Sequence, residues 1–300
     1  MATSAILLVD KPGGITSHDV VARTRKALDT RRIGHAGTLD PMATGLLVLG
    51  VESSTRLLTF IAGLDKTYEA TIRLGVATDT DDADGVETAR ADSMALGAVT
   101  AERIAAGVES LTGAISQVPS TVSAIKVDGR RAYDLARAGV EVELKSRAVT
   151  VSRFEVTGRR DGDGVIDIDV IVDCASGTYI RALARDLGLS LGVGGHLTAL
   201  RRTHIGPFAV EGAASVDALA EAQGLEPAAA ASLVLGRVDV TLEEARSLRQ
   251  GKRIADGALR FAGKQAAAVT PDGALIGIVE RRGDDAKATM NMPYRPGVDT

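Results

Sequence analysis

Two consecutive stretches alternate apolar and polar residues over a full strand's length, "AVTVSRFEVTG" at 148–158 and "GVIDIDVIVDC" at 164–174. A period of two places the apolar side chains of each on one face of a sheet, so they read as paired strands. "YEATIRLGVAT" at 68–78 alternates in the same way, and "AILLVD" at 5–10 and "LLVLGVE" at 46–52 read as further strands. Between them lie stretches of helical spacing: "TSHDVVARTRKAL", "SSTRLLTFIAGL", "TAERIAAGVESLTG" and "GTYIRALARDLGLSLG", the last with a basic stripe at Arg181 and Arg185. "GGHLTALRRTHIG" returns to strand, and "RRIGHAGTLDPMATG" at 31–45 reads as loop. Helices and strands interleave without strict βαβ order. The expected class is therefore α+β, with a mixed, largely antiparallel sheet rather than a doubly wound one.

Composition shifts at 211–240, where the chain becomes alanine-rich and poor in basic residues. Beyond it, "VTLEEARSLRQGKRI" and "GALIGIVE" suggest a small module of a helix and short strands. The expected division is a large domain over 1–230 and a small β-rich module with a tail over 231–300. The 300 residues and 45% hydrophobic content suffice for a sizeable core. No apolar run reaches the ~18 residues that span a bilayer, and the N-terminus lacks the basic region of a signal peptide, so a cytoplasmic protein without membrane contact is expected. One cysteine, Cys174, excludes an internal disulfide framework, and the four histidines never fall at zinc-ligand spacing. No coiled-coil pattern argues against a monomer.

The formal net charge is −4, but its distribution is uneven. Windows at 21–32, 126–153 and 181–202 each hold more basic than acidic residues, which leaves the remainder of the chain acidic. Such segregation can build one positive face, as a phosphate-binding surface requires, although solvated helix faces would give the same pattern.

Three short motifs carry no chemistry. "DTDDADG" at 79–85 looks like a calcium loop, but register on Gly85 places Thr80 and Ala91 at the positions that need carboxylates, so it reads as an acidic surface turn. "SAIK" at 123–126 lacks any partner motif, and "GVGG" at 192–195 follows a helix rather than a strand. Asp40 differs from all three. It is held between a Gly-rich turn and Pro41, which restricts the residue before it. A carboxylate so placed could cap the following segment, bind a metal, or act as a covalent or general-base catalyst. Spacing alone leaves these open.

"GHAGTLDPMATGLL", which contains Asp40, resembles the catalytic motif of the bacterial tRNA pseudouridine-55 synthases, the TruB family. "LLVDKPGGITSHDVV" resembles the opening segment of that family, and "DKTYEATIRLGVATDTDDADG" its second motif. "CASGTYIRALARDLG" followed by "LTALRR" resembles the third, all in family order over residues 6 to about 206. The C-terminal segment is more loosely similar to the RNA-binding PUA module. The resemblance implies isomerisation of the T-loop uridine of tRNA on a flipped-out base, without metal or cofactor. It makes Asp40 the catalytic carboxylate, Arg181 the arginine that pairs with it, and Tyr68 the aromatic group against the base and the candidate for moving the C–H proton. Tyr179 and Leu200 match positions that line the base pocket, and His35 matches the histidine that fills the space the nucleotide leaves.

Residues 116–146 correspond to an RNA-gripping insertion for the T-arm. There Lys126, Arg130, Arg131 and Arg137 would contact phosphates, while Val122 stands where the family often has an aromatic residue. A competing reading makes the chain an RNA-binding or tRNA-folding factor whose catalysis is secondary. A carbohydrate-active hydrolase would need a second carboxylate that no matched motif supplies.

Overall fold

The computed structural model describes residues 3–120, 126–127, 130–131 and 145–293. The chain forms two compact units, one of Met1–Asp40, Leu46–Ala62 and Gly206–Thr300, the other of Pro41–Gly45 and Gly63–Ile205.

The first unit opens with β1 (Ala5–Lys11) and α1 (Ser17–Ala27). Thr16 starts α1 through a reciprocal capping box: its hydroxyl accepts from the Asp19 N–H while the Asp19 carboxylate accepts from the Thr16 N–H. β2 (Ile33–His35) follows and pairs antiparallel with β3 (Thr44–Val51), Ile33 against Val51. This corrects the reading of 31–45 as loop throughout. Three residues carry too little periodicity to announce a strand, and pairing with the apolar β3 decides the matter. The apolar faces of these elements enclose Leu7, Val9, Val20, Val21, Ile33, Leu47 and Leu49 in one core. The expected helix over 53–64 instead begins as a 3₁₀ turn at Glu52–Leu57 and becomes helical only at α2 (Leu58–Ala62).

The second unit contains β4 (Lys66–Leu74), β5 (Val76–Thr78), β6 (Glu87–Arg90), α3 (Ser93–Gly97), α4 (Ala101–Ser110) and β7 (Gly113–Gln117). The alternating run over 68–78 is thus not one strand. Gly75, at φ 104°, turns the chain, and β5 leaves to pair with β6. Two short strands, β8 (Lys126–Val127) and β9 (Arg130–Arg131), pair antiparallel. Arg137 and Val122 lie outside the described residues. β10 (Arg147–Gly162) and β11 (Val165–Cys174) form the expected antiparallel pair. α5 (Ile180–Leu191) and β12 (Gly195–Ile205) complete the unit. Its sheet runs from β12 through β4, β11 and β10 to β7, all antiparallel, while Arg201 and Arg202 of β12 pair parallel with Thr44 and Gly45. The sheet is therefore mixed and largely antiparallel.

One face of β4 carries buried Lys66, Tyr68, Ala70, Ile72 and Leu74. The opposite face is a polar ladder: Thr67 donates to Asp173, Thr71 to Asp169, and Arg73 forms a two-pronged bond to Asp167 at 2.8 Å. Bonds from Arg160 and Thr71 hold the Asp169 carboxyl down at about 2.

The first unit resumes with β13 (Phe208–Ala209), β14 (Ala214–Ser215), which pairs parallel with β1, and α6 (Pro227–Leu235). The C-terminal segment is a five-stranded sheet. In it β15 (Arg237–Asp239), β17 (Gln265–Val269), β18 (Leu275–Arg282), β19 (Asp285–Asn291) and β16 (Arg253–Ile254) lie in that spatial order. Thr241 caps α7 (Leu242–Arg249), which buries Ala245 and Leu248 against Ala266, Ala268 and Val279.

Candidate functional site

In the first unit the carboxylate loop is fixed by its backbone. Ser17, the first residue of α1 and 1% exposed, sets its hydroxyl against both main-chain groups of Leu39. The hydroxyl accepts from the Leu39 N–H at 2.9 Å and donates to the Leu39 carbonyl at 3.2 Å. Upstream, the Ala36 N–H donates to Val48 of β3. Asp40 follows the clamped Leu39 directly, half-buried, with Pro41 restricting its conformation. Nearby in sequence, the buried Lys11 donates to the carbonyls of Pro12 and Ile15 at 2.9 and 2.8 Å and so closes the "KPGG" turn. His35 ends β2, and its ring meets that of His18 edge-on at 5.6 Å.

In the second unit, Tyr68 is 8% exposed and sits mid-strand on β4, in register with Val172 of β11 and Arg202 of β12. Leu200 stands opposite Ala70, two residues along. Residues that face each other across antiparallel strands share a face, so Tyr68, Ala70, Leu200 and Arg202 line one surface. This face also carries the buried cationic side chains Arg202 and Lys66. Burial first, and Arg202 second, push the Lys66 ammonium down to about 8. Lys66 Nζ donates to the Leu64 carbonyl at 2.6 Å. Cys174, opposite Lys66 on β11, is raised to about 11 by burial, so its thiol stays protonated and is no nucleophile at neutral pH.

Tyr179 is the N-cap residue of α5. Its N–H donates to Gln117 Oε1 at 2.8 Å, and its carbonyl accepts from Gln117 Nε2 at 3.0 Å. Arg181 lies in the first helical turn and is 4% exposed, so the expected basic stripe of this helix is not a solvated one. Its Nη1 donates to the Thr80 carbonyl at 2.8 Å and stands 3.3 Å from Asp82 Oδ2. The other oxygen of Asp82 accepts from the Thr80 hydroxyl and the Asp84 N–H. One turn further along, Arg185 Nη1 reaches Asp81 Oδ2 at 3.2 Å. Burial pushes the Asp81 carboxyl up, and the Arg185 guanidinium opposes the shift.

"DTDDADG" is therefore not the acidic surface turn expected of it. Asp81 and Asp82 are 8% and 5% exposed, because two arginines on α5 draw them inward. Asp82 and Gln117, which hold Arg181 and the Tyr179 backbone, are residues that the sequence reading passed over. Asp82 lies inside a matched motif, and Gln117 lies at the start of the 116–146 segment with nothing to single it out. Lys126, Arg130 and Arg131 lie on β8 and β9, with Lys126 paired to Arg131 and Val127 to Arg130. Among the described residues no group of three or more His, Cys, Asp or Glu could hold a metal ion. No helix among them is long and apolar enough to cross a membrane.

Comparison with known proteins gives consistent matches along the chain. Residues 25–180 match the family model described as "TruB family pseudouridylate synthase (N terminal domain)". Residues 181–243 match "tRNA pseudouridylate synthase B C-terminal domain", and 235–293 match "tRNA Pseudouridine synthase II, C terminal". The chain is 55% identical over 295 residues to a protein of Leifsonia xyli named "tRNA pseudouridine synthase B", covering 98% of each. It is also 55% identical over 290 residues to a Rhodococcus jostii protein of the same name, covering 96% of this chain and 93% of that one. Among solved structures, one titled "Structure of H/ACA RNP bound to a substrate RNA containing 2'-deoxyuridine" superposes with a TM-score of 0.69. It is 24% identical and covers 97% of this chain and 86% of that chain, a likeness of fold.

Proposed function

The chain belongs to the TruB family of pseudouridylate synthases, and from that premise we propose that it converts the T-loop uridine of tRNA, position 55, to pseudouridine with Asp40 as its catalytic carboxylate. It is an isomerase that acts on uridine in tRNA. The near full-length match to relatives of that name carries the reading.

The chemistry is balanced without any co-reactant. The N1–C1′ bond breaks, the uracil turns, C5 bonds to C1′, and the proton lost from C5 is matched by one gained at N1. No electrons leave the substrate, so redox cofactors have no part. An aspartate with an ordinary carboxylate pKa is ionised at neutral pH and needs orientation more than activation. The Ser17 bonds to Leu39 support that role, because they fix the backbone immediately before Asp40. Arg181 serves as the cation the family pairs with this carboxylate, and Asp82 and the Thr80 carbonyl hold its guanidinium. Tyr68 offers the aromatic surface for the extracted base and moves the C5 proton. Flipping costs a few kcal/mol, which stacking and edge hydrogen bonds return. Tyr179 and Leu200 line the base pocket, and His35 takes the space the nucleotide vacates.

Lys126, Arg130 and Arg131 contact phosphates of the T-arm, and residues 231–300 act as an RNA-binding module beside a catalytic domain of 1–230. The protein works in the cytoplasm as a monomer without an obligate protein partner.

The test is pseudouridine formation in an unmodified tRNA transcript, mapped to the nucleotide, with wild type and Asp40→Asn. Modification of the T-loop uridine by wild type alone is expected, with both proteins binding the RNA. Modification elsewhere would overturn the assigned position, and turnover by Asp40→Asn would overturn the assigned catalyst. Tight binding without modification by either would favour the RNA-folding role.

A further inference from the structure

We propose that the end of β7 is a clamp that sets the first turn of α5, with Gln117 and Arg185 as positioning residues for Tyr179 and Arg181. The inference rests on the isomerase reading and deepens it. A helix leaves its first N–H groups without partners inside the helix, and here the N-cap residue, Tyr179, supplies no side-chain cap. Gln117 compensates from another strand. Its amide is 1% exposed and binds the Tyr179 N–H and carbonyl together, at 2.8 and 3.0 Å. A primary amide carries a donor and an acceptor side by side, so it can fix both the position and the direction of one backbone unit.

The next residue of β7's continuation makes a second attachment. The Val118 carbonyl accepts from Arg185 Nη2 at 2.7 Å. Arg185 is one helical turn beyond Arg181 and also pairs with Asp81, whose neighbour Asp82 holds Arg181. The contacts close a ring: Gln117 to Tyr179, along α5 through Arg181 to Arg185, and back to Val118, with Asp81 and Asp82 bridging the two arginines. Arg181 is thereby gripped from both ends of its helical turn. The adjacent acids of the β5–β6 turn match the one-turn spacing of the arginines, so a rotation of the helix would strain both ion pairs at once.

The ring joins backbone and side-chain groups within the protein, so its effect is on geometry rather than on affinity. The bulk of tRNA affinity comes from phosphate contacts, which neither Gln117 nor Arg185 supplies in this assignment. Loss of the clamp should therefore appear in the chemical step. A misplacement of about 1 Å at a catalytic group costs up to roughly a hundredfold in rate.

The experiment compares wild type, Gln117→Met, Gln117→Glu and Arg185→Met in single-turnover pseudouridine formation on saturating tRNA transcript. Rates are normalised to enzyme that binds tRNA, and the Kd for tRNA is measured in parallel. Gln117→Met keeps the length of the side chain and removes both bonds, so its rate should fall by about tenfold or more with Kd within about twofold of wild type. Gln117→Glu can still accept from the Tyr179 N–H but faces its carbonyl with an acceptor, so it should lie between the two. Arg185→Met should lower the rate in the same sense. Normal rates per binding-competent enzyme, with only a lower melting temperature, would reduce the ring to a structural support and overturn the proposal. A rate loss matched by an equal loss of affinity would overturn it too, by making these RNA-contacting residues. If wild type itself formed no pseudouridine while binding tRNA, the functional reading would fail, and the clamp with it.

Discussion

Arg181 Nη1 lies 3.3 Å from Asp82 Oδ2 with both side chains almost sealed from solvent, 4% and 7% exposed. A buried ion pair of this kind is weak evidence for net stability, because desolvation of two charges offsets their attraction. Breaking it is another matter, since the remaining charge stays buried. Asp82→Asn is expected to cost about 3 kcal/mol or more in denaturant unfolding. It should also cut turnover by at least tenfold, because it frees the guanidinium from its contact with Asp82. Unfolding midpoints and single-turnover rates on the same preparation check both. A stability loss with unchanged rate would remove Arg181 from the chemistry.

Gly45 lies against β12 and admits no side chain. A Cβ built there would stand 2.2 Å from the Arg202 carbonyl oxygen, and the backbone has φ 99°. Arg202 is in turn the register partner of Tyr68. Gly45→Ala is expected to destabilise the fold by about 2 kcal/mol or more, since left-handed strain and a backbone clash add. The displaced β12 should carry a rate loss with it. Thermal unfolding with an activity assay below the transition decides the point.

The legible parts of this molecule are those whose cause is local. The Thr16–Asp19 capping box lies within one turn of sequence, and the alternation over 165–174 needs only its own period to predict a strand with one buried face. The Asp40 loop stood out for the same reason, because it is a contiguous string of glycines and a proline. Asp81 and Asp82 were misread because their partners lie about a hundred residues downstream, at 185 and 181. A run of acids looks solvated until the arginines that draw it inward are known. Gly75 sits inside a clean alternation, and only its positive φ separates β4 from β5. Gln117 acts on the backbone of a residue 62 positions away, a role that no side-chain pattern encodes.

The paired β8 and β9 bring Lys126 and Arg131 into register, which concentrates basic residues at one place in the chain. If they contact phosphates, the double variant Arg130→Gln, Arg131→Gln should weaken tRNA binding. It should also reduce the slope of log K against log salt by roughly 1 to 2. Filter binding across a salt series measures it, and an unchanged slope would exclude these two residues from the phosphate contacts.

Lys66 gives the protein a stability that varies with pH in an unusual direction. Its ammonium titrates at about 8 in the folded state, down from the model-peptide value of 10.5, because it is buried beside Arg202. For a base with a depressed folded pKa, the unfolded chain binds more protons between the two values, so stability rises with pH through that window. Below pH 8 both states hold the proton, and the full cost of about 3 kcal/mol is present and constant. Lys66→Met removes the charge and keeps the bulk. The stability difference between variant and wild type should therefore be largest near neutrality, in favour of the variant. It should shrink as pH rises from 8 toward 10.5. Urea unfolding of both proteins at a series of pH values, each carrying Cys174→Ala because Lys66 also acts on that neighbouring thiol, isolates this group. A difference independent of pH would mean that the Lys66 ammonium keeps its proton in the fold as readily as in the unfolded chain.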